Sequence, residues 1–111
     1  KVREIVGGVE VNVKLDGVER APFRMELAVV GAKKADSDAF GLSDLAGKRI
    51  LVKRGAVRLS NEQDAVVIGP GFGTHGFIDG IFGSEESDQK AFTMYFTDDT
   101  GFDRTFRICA D

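Results

Sequence analysis

The chain has 111 residues, of which 42% are hydrophobic and 30% are charged, and this composition is typical of one soluble globular domain. Its formal net charge is -3, so we do not expect nucleic acid as a partner, because proteins that bind phosphate backbones usually carry a basic surplus. No apolar run is long enough for a bilayer-spanning helix and no signal peptide is visible, so we expect no membrane partner either.

Hydrophobic alternation predicts two β-strands in the first third of the chain. Apolar residues occupy every second position in "VEVNVKL" (9 to 15) and again in "FRMELAVV" (23 to 30), as expected for strands with one face on a core. Asp16 and Gly17 lie between them and favour a tight turn. We therefore predict an antiparallel hairpin, with Pro22 at a strand start, a bulge or an edge because it cannot donate to the ladder.

The middle of the chain is less regular. Residues 31 to 47 are polar, and the only helical signal is one turn that begins at Ser43 as an N-cap and ends at Gly47. Residues 48 to 54 and the short run "VRL" (57 to 59) are predicted strands. Residues 64 to 69, "DAVVIG", are apolar at both parities, which indicates a strand at the centre of a sheet.

The last third contains three further predicted strands. They are "HGFIDGIFG" (75 to 83), "AFTMYF" (91 to 96), in which Phe92, Met94 and Phe96 share one face, and "FDRTFRI" (102 to 108). The turn "DDTG" (98 to 101) is predicted to close a second hairpin. Arg104 falls on the core side of its strand, so we expect it at an edge or in a buried ion pair with a carboxylate such as Asp79.

These elements define the predicted fold class. The chain is all-β, a small antiparallel split β-barrel of six to eight short strands with at most one short helical turn, and residues 1 to 111 form a single domain. A barrel is favoured over a flat sheet because it hides strand edges. The chain contains nine phenylalanines, and we expect them to fill the interior.

The glycine-rich run "GPGFGTHGFIDGIFG" (69 to 83) is predicted to be a turn that leads into a strand. A phosphate-binding loop would require Lys and Ser or Thr at the start of a helix, whereas here Gly73 is followed by Thr74 and His75. Loops carry function more often than the scaffold does. Phe72, Thr74 and His75 are therefore a candidate contact loop.

The sequence indicates no catalytic, cofactor-binding or metal-ligating residues, and no cofactor is expected. His75 is the only histidine and Cys109 the only cysteine, so neither a catalytic triad nor a zinc site with ordinary ligands is assembled. The absence of a disulfide favours a reducing compartment, and we expect a cytoplasmic protein. The acidic run at 97 to 103 lacks the spacing of a calcium loop, and weak calcium binding there is kept as an alternative.

The order of these features resembles the first domain of the valine-glycine-repeat spike proteins of type VI secretion and the related hub proteins of contractile phage tails. The resemblance covers about residues 22 to 96, through "PFRMELAVV", "LSDLAGKRILVKRG" and "HGFIDGIFGSEESDQKAFTMYF". The residues at matching positions are Phe23, Leu27, Leu45, Gly47, Lys48, His75, Gly76, Phe77 and Ile78. Ala46 stands where the family usually has leucine.

The resemblance implies a bacterial or phage structural protein, a split β-barrel that forms homotrimers, contacts tail-tube or baseplate subunits and catalyses nothing. Its location would then be the cytoplasm or the assembled particle. An alternative reading of the residues is a standalone β-barrel that binds a small apolar ligand or a protein partner, with Phe72, Phe77 and Phe82 near its mouth. A third hypothesis is an enzyme that uses Asp79, His75 or Cys109. The size of the purified particle, an internal cavity, or an activity lost on His75→Ala would distinguish the three.

Overall fold

A computed structural model describes residues 1–16, 21–74 and 91–111 of the chain. These residues form β-strands joined by turns and loops, without a helix, which confirms the all-β class. They therefore contain no helix that could cross a membrane. The strands are β1 (Val2–Ile5), β2 (Gly8–Leu15), β3 (Pro22–Val29), β4 (Lys34–Asp36), β5 (Gly41–Ser43), β6 (Arg49–Leu51), β7 (Val57–Ser60), β8 (Ala65–Gly69), β9 (Phe92–Asp99) and β10 (Phe102–Ala110).

The strands are arranged in two sheets. Seven of them form an antiparallel sheet in the order β1-β2-β10-β8-β7-β4-β5, and three form a second sheet in the order β3-β9-β6. In the smaller sheet β6 runs parallel to β9, whereas β3 is antiparallel to it. This arrangement agrees with a split, barrel-like sandwich, and its seven-stranded sheet is much wider than the sheet opposite.

The predicted hairpin between residues 9 to 15 and 23 to 29 is wrong, although both strands exist. The first strand, β2, lies between β1 and β10, while the second, β3, pairs with β9 in the other sheet. Alternation specifies an extended segment with one buried face, but the partner of that segment is chosen by contacts far along the chain.

The hairpin predicted at "DDTG" is also wrong, because β9 and β10 belong to different sheets. The chain turns a corner at Thr100 and Gly101, where their backbone N–H groups donate to the carbonyls of Ala21 (2.9 Å) and Leu15 (2.7 Å). The ladders β3–β9 and β2–β10 thus meet at this corner. Strands that pass from one sheet to the other form such corners in β-sandwiches.

Five of the nine phenylalanines are buried in the core, as the sequence predicts for them, while Phe23 and Phe40 are half-buried and Phe77 and Phe82 lie outside the described residues. Phe96 has no exposed surface, and its ring centroid lies 5.1 Å from that of Phe72 and 5.3 Å from that of Phe106. The aromatic contacts continue through Phe102 to Phe23 at the corner. The other fully or nearly fully buried hydrophobic residues are Ala35, Leu45, Val52, Val57, Leu59, Ile68, Ala91, Phe92, Met94 and Tyr95.

Strand β9 is buried on both faces. Its alternation puts Phe92, Met94 and Phe96 on one side, but Tyr95 and Thr97 on the opposite side are just as inaccessible. Arg24 of β3 covers part of that second side, with its guanidinium 4.9 Å from the centre of the Tyr95 ring. Threonine and tyrosine occur on both buried and exposed faces, so periodicity alone does not show that Thr93, Tyr95 and Thr97 are buried. For this reason the sequence did not indicate a strand covered on both sides.

The middle of the chain contains more strands than predicted. Strand β8 lies fourth of seven and so confirms the central position of residues 64 to 69. The segment read as irregular contains β4 and β5, and the predicted helical turn is a β-turn in which Lys48 N–H donates to the Leu45 carbonyl (3.0 Å). The described residues form ten strands, more than the predicted six to eight, and β4 and β5 were missed because strands of three residues are too short to show periodicity.

Candidate functional site

The candidate contact loop is only partly a surface. Phe72 is 4% exposed and packs against Phe96 and Phe102, so its side chain belongs to the core and is not available to a partner. Thr74 is exposed, while His75 lies outside the described residues. Phe72 does lie in a loop after β8, but its prediction as a contact residue is wrong because the side chain is buried.

Gly71 explains how Phe72 can lie inside. A Cβ atom at position 71 would be 2.6 Å from the backbone oxygen of Val52 and 2.5 Å from its Cγ1, distances that only glycine avoids. The Gly71 N–H also donates to the carbonyl of Gly55 (2.8 Å). Position 71 therefore requires glycine mainly because two backbone segments come close together there, and less because of a turn. This close approach brings the Phe72 ring into the core.

Arg104 forms an ion pair, but the carboxylate is that of Asp98. The Arg104 Nε donates to Asp98 Oδ2 at 2.7 Å, and the guanidinium lies 5.5 Å from the centre of the Phe72 ring. The side chain of Asp98 is 9% exposed and that of Arg104 is 44% exposed. Because Asp98 is the last residue but one of β9 and Arg104 lies in β10, the pair braces the corner between the sheets. Asp79 lies outside the described residues, so the Asp79–Arg104 pair stays a prediction.

Replacing Asp98 with alanine is expected to lower the free energy of unfolding by about 1–2 kcal/mol, because a buried carboxylate that accepts charged and backbone donors is lost. The share due to Arg104 is smaller, about 0.5–1 kcal/mol, since that side chain is screened by solvent. Urea unfolding of Asp98→Ala, Arg104→Ala and the double variant measures this coupling. Glu62→Ala is the control, because both side chains of the Lys33–Glu62 pair are exposed and its loss should change the free energy of unfolding little. Equal effects of Asp98→Ala and Glu62→Ala would contradict the bracing role.

Two other residues considered in the sequence, Cys109 and Asp103, lie on β10. Cys109 is partly buried in β10, opposite Gly8 and Val67. In the acidic run, Asp103 accepts from the side chain of Asn12 (2.7 Å) in an exposed contact between β10 and β2. No group of three His, Cys, Asp or Glu side chains in the described ranges is placed to hold a metal ion.

The end of the seven-stranded sheet is the most unusual surface of the molecule. Four large hydrophobic side chains are exposed among the described residues, and three of them, Val2, Val6 and Leu15, lie on β1, β2 and the turn between them. Val6 is fully exposed and Val2 is 66% exposed. We call β1, β2 and this turn the edge hairpin. Sequence reasoning missed β1, although "EIVGGVEV" carries the signal of a tight turn between two short β-prone runs.

Ion pairs hold the outward face of the edge hairpin. Glu10 accepts from Arg3 (2.9 Å) and from Arg107 (3.1 Å), so one carboxylate balances two guanidinium groups. Both arginines remain more than half exposed. The face therefore keeps an excess of positive charge around Arg3, and surface pairs of this kind stabilise the fold only weakly.

Three recesses differ in size and in the polarity of their walls. One of about 350 Å³ lies against residues 98 to 104, and one of about 420 Å³ lies among Lys33, Lys34, Arg58 and their neighbours. The apolar one, about 120 Å³, is formed by residues 29 to 32 and 59 to 66. Pockets for small-molecule ligands usually measure 300 to 1,000 Å³, so this groove suits a single side chain.

Comparisons of the chain with protein-family profiles, with curated proteins and with solved structures found no match. The fold and the surface define the class, an all-β sandwich whose wide sheet ends in a two-stranded hairpin.

Proposed function

We propose that the protein is a non-enzymatic structural module that joins an assembly of protein subunits, as the hub domains that its sequence resembles do. The observation that carries this proposal is the edge hairpin, where Val2 and Val6 are exposed at the end of the wide sheet. Single exposed hydrophobics are ordinary on a protein surface, but Val2 and Val6 lie on the same edge strand and its turn, and this favours an interface.

The groove at residues 29 to 32 and 59 to 66 argues against a small apolar ligand at that place, whereas Phe77 and Phe82, expected near the mouth of a ligand-binding barrel, lie outside the described residues. The apolar groove of about 120 Å³ is smaller than a cavity that holds benzene, which measures about 150 Å³. The two larger recesses are lined mainly by charged and polar residues. We place such an assembly in the cytoplasm or within a phage or secretion particle.

Light scattering coupled to size exclusion tests the proposal on the full chain. We expect a trimer, the state that the resemblance implies, and we expect Val2→Asp with Val6→Asp to weaken association at least tenfold. The reason is that each buried valine contributes roughly 1.5–3 kcal/mol to an interface, and a buried carboxylate would add a desolvation cost.

Val30→Asp is the matched control, because Val30 is 72% exposed and lies at the end of β3, away from the edge hairpin. It should leave the trimer intact. A monomer at all concentrations would contradict self-assembly, and equal weakening by Val30→Asp would show that the hairpin is not the contact.

A further inference from the structure

The outer edge of β1 has its own hydrogen-bonding register. Lys1 and Asn12 exchange hydrogen bonds, since the Lys1 amino group donates to the Asn12 carbonyl and the Asn12 N–H donates to the Lys1 carbonyl, both at 2.8 Å. Hydrogen-bonded pairs alternate with non-hydrogen-bonded pairs along an antiparallel ladder. Arg3–Glu10 and Ile5–Gly8 are therefore the bonded pairs of the β1–β2 ladder, and the backbone groups of Val2 and Glu4 point away from β2.

No strand covers that edge among the described residues, since β1 is the first strand of its sheet. Unpaired edges of this kind are where extended peptides add to a sheet, with main-chain hydrogen bonds supplying affinity and alternate side chains supplying specificity. The side chains that would meet an added strand carry both charges, namely Arg3 on the outward face and Glu4 on the inward face.

A second copy of β1 does not suit this edge. Symmetric antiparallel pairing that uses the Val2 and Glu4 backbone groups must be centred on Val2, Arg3 or Glu4. These registers place Lys1 opposite the second copy's Arg3, Arg3 opposite Arg3, or Glu4 opposite Glu4. Each one juxtaposes like charges, which destabilises cross-strand pairs.

A further register would place Arg3 opposite the second copy's Glu4 and so pair opposite charges, but its backbone hydrogen bonds cannot form. In this register the outward backbone groups of Val2 and Glu4 face Ile5 and Arg3 of the second copy. The backbone groups of those two residues already bond to β2 of their own copy. The sequence "VREI" thus protects the edge from pairing with itself while it leaves the edge open to another strand.

We propose that the edge of β1 binds, by antiparallel strand addition, an extended segment of a partner protein with the pattern apolar, basic, acidic, apolar. The basic residue lies opposite Glu4 and the acidic residue opposite Arg3. The acidic residue also meets the excess positive charge that Arg3 and Arg107 leave around Glu10. The inference rests on the proposed function as an assembly module and identifies the chemistry of one partner.

Two peptides test the charge pattern on the full chain. Acetyl-Thr-Val-Lys-Glu-Val-Thr-amide carries the pattern, and acetyl-Thr-Val-Glu-Lys-Val-Thr-amide inverts it. We expect the first peptide to bind about tenfold more tightly, because two cross-strand pairs change from opposite to like charge. Nitrogen-15 NMR should show the Glu4 amide shifted and slowed in hydrogen exchange, with a smaller change at the Arg3 amide, which already faces β2. Equal binding of the two peptides, or no change at Glu4, would overturn the proposal.

Two variants separate the edge from the stability of the hairpin. Glu4→Pro removes the outward N–H without removing a bond to β2, as proline is tolerated in edge strands whose N–H faces solvent, and we expect it to abolish binding. Glu4→Gln keeps the N–H and should retain binding with reduced selectivity between the peptides. Arg3→Glu with Glu4→Arg should reverse the preference, an outcome that loss of fold could not produce.

The outcomes also distinguish this inference from the proposed function. Peptide binding does not require self-association, so a monomer that binds the first peptide contradicts the trimer and leaves the edge site standing. A trimer in which Glu4 is protected in the absence of peptide, with the protection lost in Glu4→Pro, would show that a second copy occupies the edge and would overturn the inference.

Discussion

Replacing Phe96 with alanine is expected to lower the free energy of unfolding by about 3–5 kcal/mol, the range for phenylalanine truncation in a closed core. Phe96 has no exposed surface and its ring lies between those of Phe72 and Phe106. The loss combines the transfer of the ring with a cavity that the two sheets cannot close, because each is held by its own hydrogen-bonded ladder. Domains of this size are stable by roughly 5–15 kcal/mol, so a single substitution removes a large share.

The measurement is urea unfolding of the full chain, followed by fluorescence of Tyr95 and by circular dichroism. Phe23→Ala is the matched control, because the same group is removed from a half-buried ring that contacts Phe102 at the corner. Its cost should be at most half as large, since less buried surface is lost. Similar costs for the two variants would contradict a core centred on Phe96, and Phe96→Leu should lie between Phe96→Ala and the wild type because it leaves a smaller cavity.

Strand positions could be predicted from the sequence because alternation is a local property. Four predicted strands, those that became β2, β3, β9 and β10, have their bounds nearly as expected. Their partners could not be predicted, because a buried face does not specify which sheet it will meet. Local turn chemistry at Asp16–Gly17 and in "DDTG" predicts hairpins, yet the strands on either side of each belong to different sheets.

Arg104 interrupts the apolar alternation of its strand, and this interruption predicts an ion pair without identifying the partner. A charge on the core side of a strand requires a partner, and the sequence correctly indicated a carboxylate. The partner in the described structure, Asp98, lies six residues earlier in the chain, on a strand whose partners the sequence did not specify. The contact between Asp98 and Arg104 depends on the corner between β9 and β10, which the sequence does not show.

Surface chemistry was the least predictable part. The edge hairpin became visible only when exposure was known, since Val2 and Val6 resemble any strand valines in sequence. Phe72 was wrongly predicted as a contact residue for the converse reason, as neighbouring glycines suggest a loop and the core contact depends on a backbone approach between Gly71 and Val52. Both errors come from reading local composition where distant contacts decide burial.

Gly8→Ala is expected to cost about 2–3 kcal/mol of stability, the upper part of the range for overpacking in a filled site. A Cβ atom at position 8 would lie 2.1 Å from the backbone oxygen of Ile108 and 2.8 Å from the Cα of Cys109. Neither atom can move alone, because both belong to the ladder that joins β2 and β10 from Phe102 to Cys109. The strands must separate at this end, and the edge hairpin separates with them.

Gly7 provides a control one residue away. Its φ is +81° and a Cβ atom there would meet nothing within 4 Å, so Gly7→Ala should cost only the left-handed backbone strain, about 1–2 kcal/mol. Asparagine tolerates that conformation better than alanine does, so Gly7→Asn should be milder than Gly7→Ala, whereas Gly8→Asn should be at least as harmful as Gly8→Ala. Urea unfolding measures the four costs, and hydrogen exchange at Asn12 and Phe106 reports the ladder. The same ranking of alanine and asparagine at both positions would show that backbone conformation, rather than the approach of β10, requires glycine at position 8.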